Sequence, residues 1–224
     1  MPVKQLPDRD QYPARLTLTA VSFVLAACLS STVAVCEDNL QSVMARMKPD
    51  QAVIIDYQEH RYMRMMSAPW TGSGHFYALL PDTMLKEQLH PEKELMAIRG
   101  HNLYYFNPAN NQKHQTELSD QDSPAAHIAA FKGLMNGDLT SLKTLYDVGF
   151  SAKSSGWLIT LTPQNTDSET AIKIIMQGRP EQAANKLELL MTDGDRTEFL
   201  LGRVHSGADI KLKATQLFDL LSAD

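Results

Sequence analysis

The run VIIDYQEHRYMRMM at residues 53–66 carries apolar side chains at every second position: Val53, Ile55 and Tyr57, then Met63 and Met65. Successive side chains in a strand point to opposite faces, so this set shares one face and needs a cover. Gly72-Ser73-Gly74 reads as a flexible turn into a second strand, His75 to Leu80, which Pro81 ends because proline has no N–H to give to a ladder. Met84 to Leu89, stopping at His90-Pro91, and Glu94 to Arg99 read as the next two strands. The segment GHNLYYFNPANNQ (100–112) turns through Gly100-His101-Asn102 into a strand from Leu103 to Phe106 and closes the meander at Asn107-Pro108.

On the N-terminal side, Leu40, Val43, Met44 and Met47 have helical spacing, and Asp38-Asn39 offers an N-cap, which predicts a helix over 37–48 before Pro49. Beyond the meander, the polar stretch from His114 to Asp122 reads as a solvated loop. Ser123-Pro124 then starts a helix with Ile128, Phe131, Leu134 and Met135 on one buried stripe, and Gly137 stops it. A shorter helix over 138–146 aligns Leu139, Leu142 and Leu145. Strands resume at 149–152 and at 157–162, where Trp157, Ile159 and Leu161 alternate with Leu158, Thr160 and Thr162. Further strands are expected at 171–177 and at 186–192, the latter joined through Asp193-Gly194 to 197–203 as a hairpin. Leu212, Leu217, Phe218, Leu220 and Leu221 allow a short helix in the tail, 208–224, to which the sequence assigns no role.

At 224 residues with 43% hydrophobic and 21% charged side chains, the chain can bury one sizeable core. A formal charge of -5 without a basic patch argues against nucleic acid, whose phosphates bind a positive field. The 11 methionines suit either ordinary core filling or an apolar surface that adapts to more than one ligand shape. Lys4, Arg9 and Arg15 precede the apolar run Leu16 to Leu29, so residues 1–36 read as an export signal. Two cleavage outcomes stay open. Cleavage near Thr32-Val33-Ala34 or Ala34-Val35-Cys36 releases a soluble protein, whereas Leu25-Ala26-Ala27-Cys28 resembles a bacterial lipobox, with a leader to residue 27 and a lipidated Cys28. Cys28 and Cys36 are the only cysteines, and both lie in or beside the leader, so no disulfide framework is expected.

The residue sets that catalysis requires are not assembled in this sequence. Gly72-Ser73-Gly74 lacks the lysine of a phosphate loop and the context of a nucleophile elbow. The seven histidines are scattered, and Asp193 and Asp195 around Gly194 fit a tight hairpin without an ion. No catalytic residue, metal or cofactor is expected. One polar group has two open readings. If Tyr57 faces inward, alternation takes Glu59 and Arg61 to the same face, with Lys86 on a nearby strand. Either the strand has left the core there and the charges face water, or Glu59 pairs with Arg61 or Lys86 as a polar anchor at a cavity rim.

Tyr57, Gly74, Pro81, Pro91, Gly100, Leu103, Phe106, Asn107, Pro108 and Gln112, in this order and spacing, resemble the LolA family of periplasmic lipoprotein carriers; Glu59, Arg61, Tyr62, Leu85 and Lys86 bring the chain nearer to a divergent branch. The resemblance spans roughly Leu40 to Leu201. It implies an α+β fold in which a curved antiparallel sheet forms an incomplete barrel with a helical lid, over about 37–207. It also implies a non-catalytic, monomeric periplasmic carrier that takes acyl chains of lipoproteins or other lipids from an inner-membrane transporter to an outer-membrane acceptor. The lipidated form would instead be an outer-membrane-anchored acceptor or accessory subunit. On this reading Val53, Ile55, Tyr57, Met63, Met65, Phe76, Leu85, Trp157, Ile159 and Leu161 line the lipid cavity. Ile128, Phe131, Leu134 and Met135 form the lid, and Glu59, Arg61 and Lys86 the polar rim. One departure concerns cargo: LolA carriers have an arginine before the proline that matches Pro81, tied to lid closure and release, and here that residue is Leu80.

Overall fold

The computed structural model describes residues 38–118, 123–165 and 171–223, with the backbone alone over 123–127. The export signal with both cysteines, the end of the polar stretch before Ser123, and the cap and first-turn side chains at Ser123-Pro124 lie outside these residues. Among the described residues, strands β1 (Val53–Tyr62), β2 (Trp70–Leu79), β3 (Thr83–His90), β4 (Glu94–Arg99), β5 (Asn102–Asn107), β6 (Gln112–Glu117), β7 (Tyr146–Lys153), β8 (Gly156–Pro163), β9 (Ile172–Gly178), β10 (Ala184–Met191) and β11 (Arg196–Ser206) form one antiparallel sheet. Its order is β6-β5-β4-β3-β2-β1-β11-β10-β9-β8-β7, two meanders joined where β1 pairs with β11. The edges β6 and β7 do not meet, so the barrel is incomplete. Register slips between Ile55 and Tyr57 against β11, between Ser73 and Gly74 against β3, and between Ala184 and Lys186 against β9 mark bulges, which bend and twist a sheet.

The chain passes from one edge to the other through α2 (Ser123–Met135) and α3 (Leu139–Leu145), which lie with α1 (Leu40–Met47) over the inner face. Helix α1 begins at Leu40 because Asn39 caps it: the Asn39 side chain accepts from the Ser42 amide at 2.9 Å, and Ser42 Oγ accepts from the Asn39 amide at 3.1 Å. Val43 and Met44 of α1, Ala130 and Leu134 of α2 and Leu142 of α3 are buried against Ile55, Tyr57, Phe76, Trp157, Ile159, Leu161, Ile174, Met176, Leu187 and Phe199 of the sheet. The opposite face of β2 to β5 is covered by α4 (Ala208–Ser222), whose Ala214, Phe218 and Leu221 are buried against Tyr77, Leu79, Leu85, Leu95, Ala97 and Phe106.

Several local expectations are corrected. β1 ends at Tyr62, whose ladder partner on β11 is Arg196. The following residues are needed for the reversal into β2, and the Arg64 amide turns to donate to Asp195 Oδ1 at 3.0 Å. Met63 and Met65 therefore sit in a loop, and Met65 is fully exposed at 100%. Gly72-Ser73-Gly74 lies inside β2 and is no flexible turn, since β2 begins at Trp70. A Cβ on Gly74 would collide with the Glu87 carbonyl oxygen of β3, so the glycine permits a close backbone approach at the bulge. Gln112–Glu117, whose last four residues fall in the stretch read as loop, is the edge strand β6; its side chains are polar throughout and mostly exposed, so alternation gave no signal.

Candidate functional site

A cavity of about 480 Å³ lies between α2 and the inner face of the sheet. Phe76, Met84, Met96, Ile98 and Leu103 line it from one meander, Ile172, Ile174, Leu189, Met191 and Phe199 from the other, and Ile128 and Phe131 from α2. Strand pairing explains the set: Met84 and Ile98 are ladder partners, as are Ile98 and Leu103, and Ile174 and Leu189, so each row keeps to one face. Beneath α2 the rings of Phe76, Phe199 and Tyr57 form a cluster, with centroids 4.5 Å apart for Tyr57 and Phe76 and 5.4 Å for Phe76 and Phe199. Phe131 lies 5.6 Å from Phe76 and, with the buried Ala130 and Leu134, packs α2 against the floor of the sheet.

Among the described residues, polar side chains reach this space at one place. Glu59, Arg61, Lys86 and Thr197 border the cavity, and Glu59 is 1% exposed. Its two oxygens are divided between two cations: Arg61 Nε donates to Oε1 at 2.6 Å and Lys86 Nζ to Oε2 at 2.5 Å. The position follows from register, because Glu59 sits across from Gly72 on β2 and from Phe199 on β11; the space a side chain at Gly72 would take is filled by the Trp70 ring. Lys86 also lies 5.2 Å from the Tyr57 ring centroid and 5.5 Å from that of Phe199, while the Arg61 guanidinium lies 4.4 Å from the Trp70 ring. Burial pulls the Lys86 ammonium below the ordinary lysine range, and the Glu59 carboxylate opposes the drop.

The sequence-predicted residues separate into groups. Phe76, Glu59, Arg61, Lys86, Ile128 and Phe131 border the cavity. Leu85 also borders it, but it packs in the cluster under α4, because it alternates with Lys86 and is paired with Tyr77. Val53, Ile55 and Met135 line a separate space of about 230 Å³ beside α1. Tyr57, Trp157, Ile159, Leu161 and Leu134 are close-packed core rather than lining; the Trp157 indole donates to the Gln182 carbonyl at 3.0 Å and fills the space beside Gly178. Met63 and Met65 contribute nothing to the cavity wall. Met96, Ile98, Leu189 and Met191 were missed, although they continue the alternation of strands the sequence located; Phe199 required knowing that β11 returns beside β1. Among the described residues, no group of three or more His, Cys, Asp or Glu could hold a metal ion, and no helix is long and apolar enough to cross a membrane.

Among the described residues the buried Tyr57 hydroxyl has no hydrogen-bond partner, and burial, with the Glu59 charge second, raises its pKa. Leaving a buried donor unsatisfied costs about 1–3 kcal/mol, so Tyr57→Phe is expected to leave stability unchanged or raise it by about 1 kcal/mol in urea unfolding. A loss larger than that would mean that the hydroxyl is paired.

The family model described as "Outer membrane lipoprotein carrier protein LolA-like" matches residues 30–219. No curated protein sequence matches the chain. Among solved structures, a LolA superfamily protein from Nitrosomonas europaea is similar at 10% identity and a TM-score of 0.40, over 75% of this chain and 91% of that one. A putative outer membrane lipoprotein-sorting protein domain from Vibrio parahaemolyticus is similar at 10% identity and 0.42, over 78% and 97%. MucB, in its complex with MucA from Pseudomonas aeruginosa, is similar at 11% identity and 0.39, over 75% and 56%. Likeness this loose transfers neither ligand nor partner.

Proposed function

The chain belongs to the LolA-like family of outer membrane lipoprotein carrier proteins, and from that premise we propose that it is a non-catalytic periplasmic carrier, sheltering acyl chains of a lipoprotein or another lipid between the sheet and α2 during transfer toward the outer membrane. The observation that carries this reading is the 480 Å³ cavity, walled by aliphatic, methionine and phenylalanine side chains apart from one polar corner. Its size falls within the ~300–1,000 Å³ usual for small-molecule sites. Burying a sixteen-carbon chain yields a gross gain of about 13 kcal/mol, at roughly 0.8 kcal/mol per methylene, before binding entropy is subtracted. Cargo in a sealed pocket would therefore leave slowly. As a lid, α2 can exchange its contacts with the floor, Phe131 on Phe76 among them, for contact with the chain, so uptake and release need no covalent step. An inner-membrane transporter and an outer-membrane acceptor are the partners this role requires.

The test is extraction of lipid from the mature protein purified out of the periplasm, beside Ile98→Trp, which places an indole in the cavity. Wild-type protein is expected to release acyl lipid in near-stoichiometric amount and the folded variant to release several-fold less. Equal, trace amounts from both would end the carrier reading. The lipobox-like Leu25-Ala26-Ala27-Cys28 supports a second form of the same role, an outer-membrane-anchored acceptor. An acylated Cys28 in the mass spectrum of the mature N-terminus would select it.

A further inference from the structure

We propose that the cavity selects single-chain amphiphiles whose head carries one negative charge, held by Arg61 and Lys86 while the chain lies along the apolar wall. This deepens the carrier reading and rests on it. The cavity lining contains two cations and one carboxylate, one unit of positive charge in excess; the next carboxylate, Glu94, lies outside the lining, where it accepts from the Tyr105 hydroxyl at 3.0 Å, and is near enough to act on Lys86. Glu59 is 1% exposed and fixed by both cations, whereas the Arg61 side chain is 42% exposed at the end of β1. The corner thus connects the apolar interior with water, where an amphiphile's head would be placed.

Hydrogen-bond capacity favours the same ligand. Among the described residues, Arg61 is bonded only through Nε, which leaves its terminal guanidinium nitrogens to donate, and Lys86 gives one of its three N–H groups to Glu59. These spare donors suit the oxygens of a carboxylate or a phosphodiester, to which guanidinium binds with charge-assisted geometry. A neutral head would leave the excess charge uncompensated, and a cationic head would be repelled. A buried ion pair is weak as a stabilising device compared with apolar packing, so a stability role alone does not account for a second cation on an already paired carboxylate.

The experiment titrates the delipidated full mature protein with palmitate, hexadecanol, hexadecyltrimethylammonium and 1-palmitoyl-lysophosphatidylglycerol, each below its aggregation threshold. Palmitate is expected to bind about tenfold more tightly than hexadecanol, and this gap to close to about twofold in Arg61→Gln. Lys86→Met should narrow the gap as well, and Arg61→Gln, at a half-exposed position, keeps the test valid if the lysine variant fails to fold. Lysophosphatidylglycerol matching palmitate would show that the corner accepts a phosphodiester as well as a carboxylate and supports the charge selection; binding at the level of hexadecanol would overturn selection by charge alone. Equal affinity for palmitate and hexadecanol, tight binding of the ammonium, or an unchanged gap in Arg61→Gln would overturn the proposal while leaving the carrier intact. Absence of binding by every chain would overturn the carrier reading itself.

Discussion

Phe218→Ala is expected to cost about 3–5 kcal/mol of folding stability, read as a lower midpoint of urea unfolding at unchanged slope. Phe218 is 3% exposed and sits where α4 meets the outer face of the sheet. The Arg99 guanidinium lies 3.4 Å from its ring centroid, with Arg99 Nε held by Thr83 Oγ1 at 2.8 Å, and Tyr104 meets the ring edge-on at 5.2 Å. Truncation would leave a cavity bounded by rigid strands, which cannot collapse to fill it. Around this contact the helix has polar ties: Lys213 Nζ is 3.6 Å from Glu87 Oε2, the Tyr77 hydroxyl donates to the same oxygen at 2.8 Å, and Lys113 Nζ donates to the Ala223 carbonyl at 2.7 Å. Burial acts to raise the pKa of Glu87, but the Tyr77 hydroxyl, Lys213 and Lys93 outweigh it and hold the carboxyl below its ordinary range. A depressed folded-state pKa contributes stability above the unfolded value and loses it as pH falls through the folded one, so this tie to α4 is present at neutral pH and weakens in acid. A cost below 1 kcal/mol for Phe218→Ala would mean that α4 rests on the sheet without stabilising it.

The importance of α4 was hidden from the sequence because a helix with five scattered large apolar residues does not name its partner. Ala214, Phe218 and Leu221 share a face, but that face is matched by Tyr77, Leu85, Leu95 and Phe106, alternate residues of strands whose other alternates line the cavity. A strand buried on both sides loses its clean two-residue signature, so Leu85 could be placed on either face from sequence. The strands themselves were legible, since β4 was located residue for residue and β1 from its start. Ladder partners distant in sequence were not. The pairing of Glu59 with Phe199 joins positions at opposite ends of the domain, and no local pattern encodes it. The methionine run failed for a local reason: period-two spacing continues past Tyr62 on paper, while the backbone has already turned at Arg64.

Glu59→Ala is expected to destabilise the protein by about 3–5 kcal/mol, the usual penalty for removing one partner of a buried ion pair. The loss arises less from the missing attraction than from what remains. Lys86, with 17% of its side chain exposed, would keep a charge beside the Tyr57 and Phe199 rings without its hydrogen-bond acceptor and with only the more distant Glu94 carboxylate acting on it, whereas Arg61, 42% exposed, can turn to water. The consequence is a non-additive pair. Glu59→Leu combined with Lys86→Met removes both charges and substitutes side chains of similar volume, so the double variant should recover most of the stability that Glu59→Ala loses. The same double variant should bind palmitate and hexadecanol nearly alike, because Arg61 alone would face the head and would be free to point outward. A double variant as unstable as Glu59→Ala would show that Glu59 stabilises the sheet through contacts other than its two cations, and the corner would then be a structural element first. Recovery of stability together with loss of charge selection would separate the two roles, since a group that only braced the fold would have no influence on which amphiphile is retained.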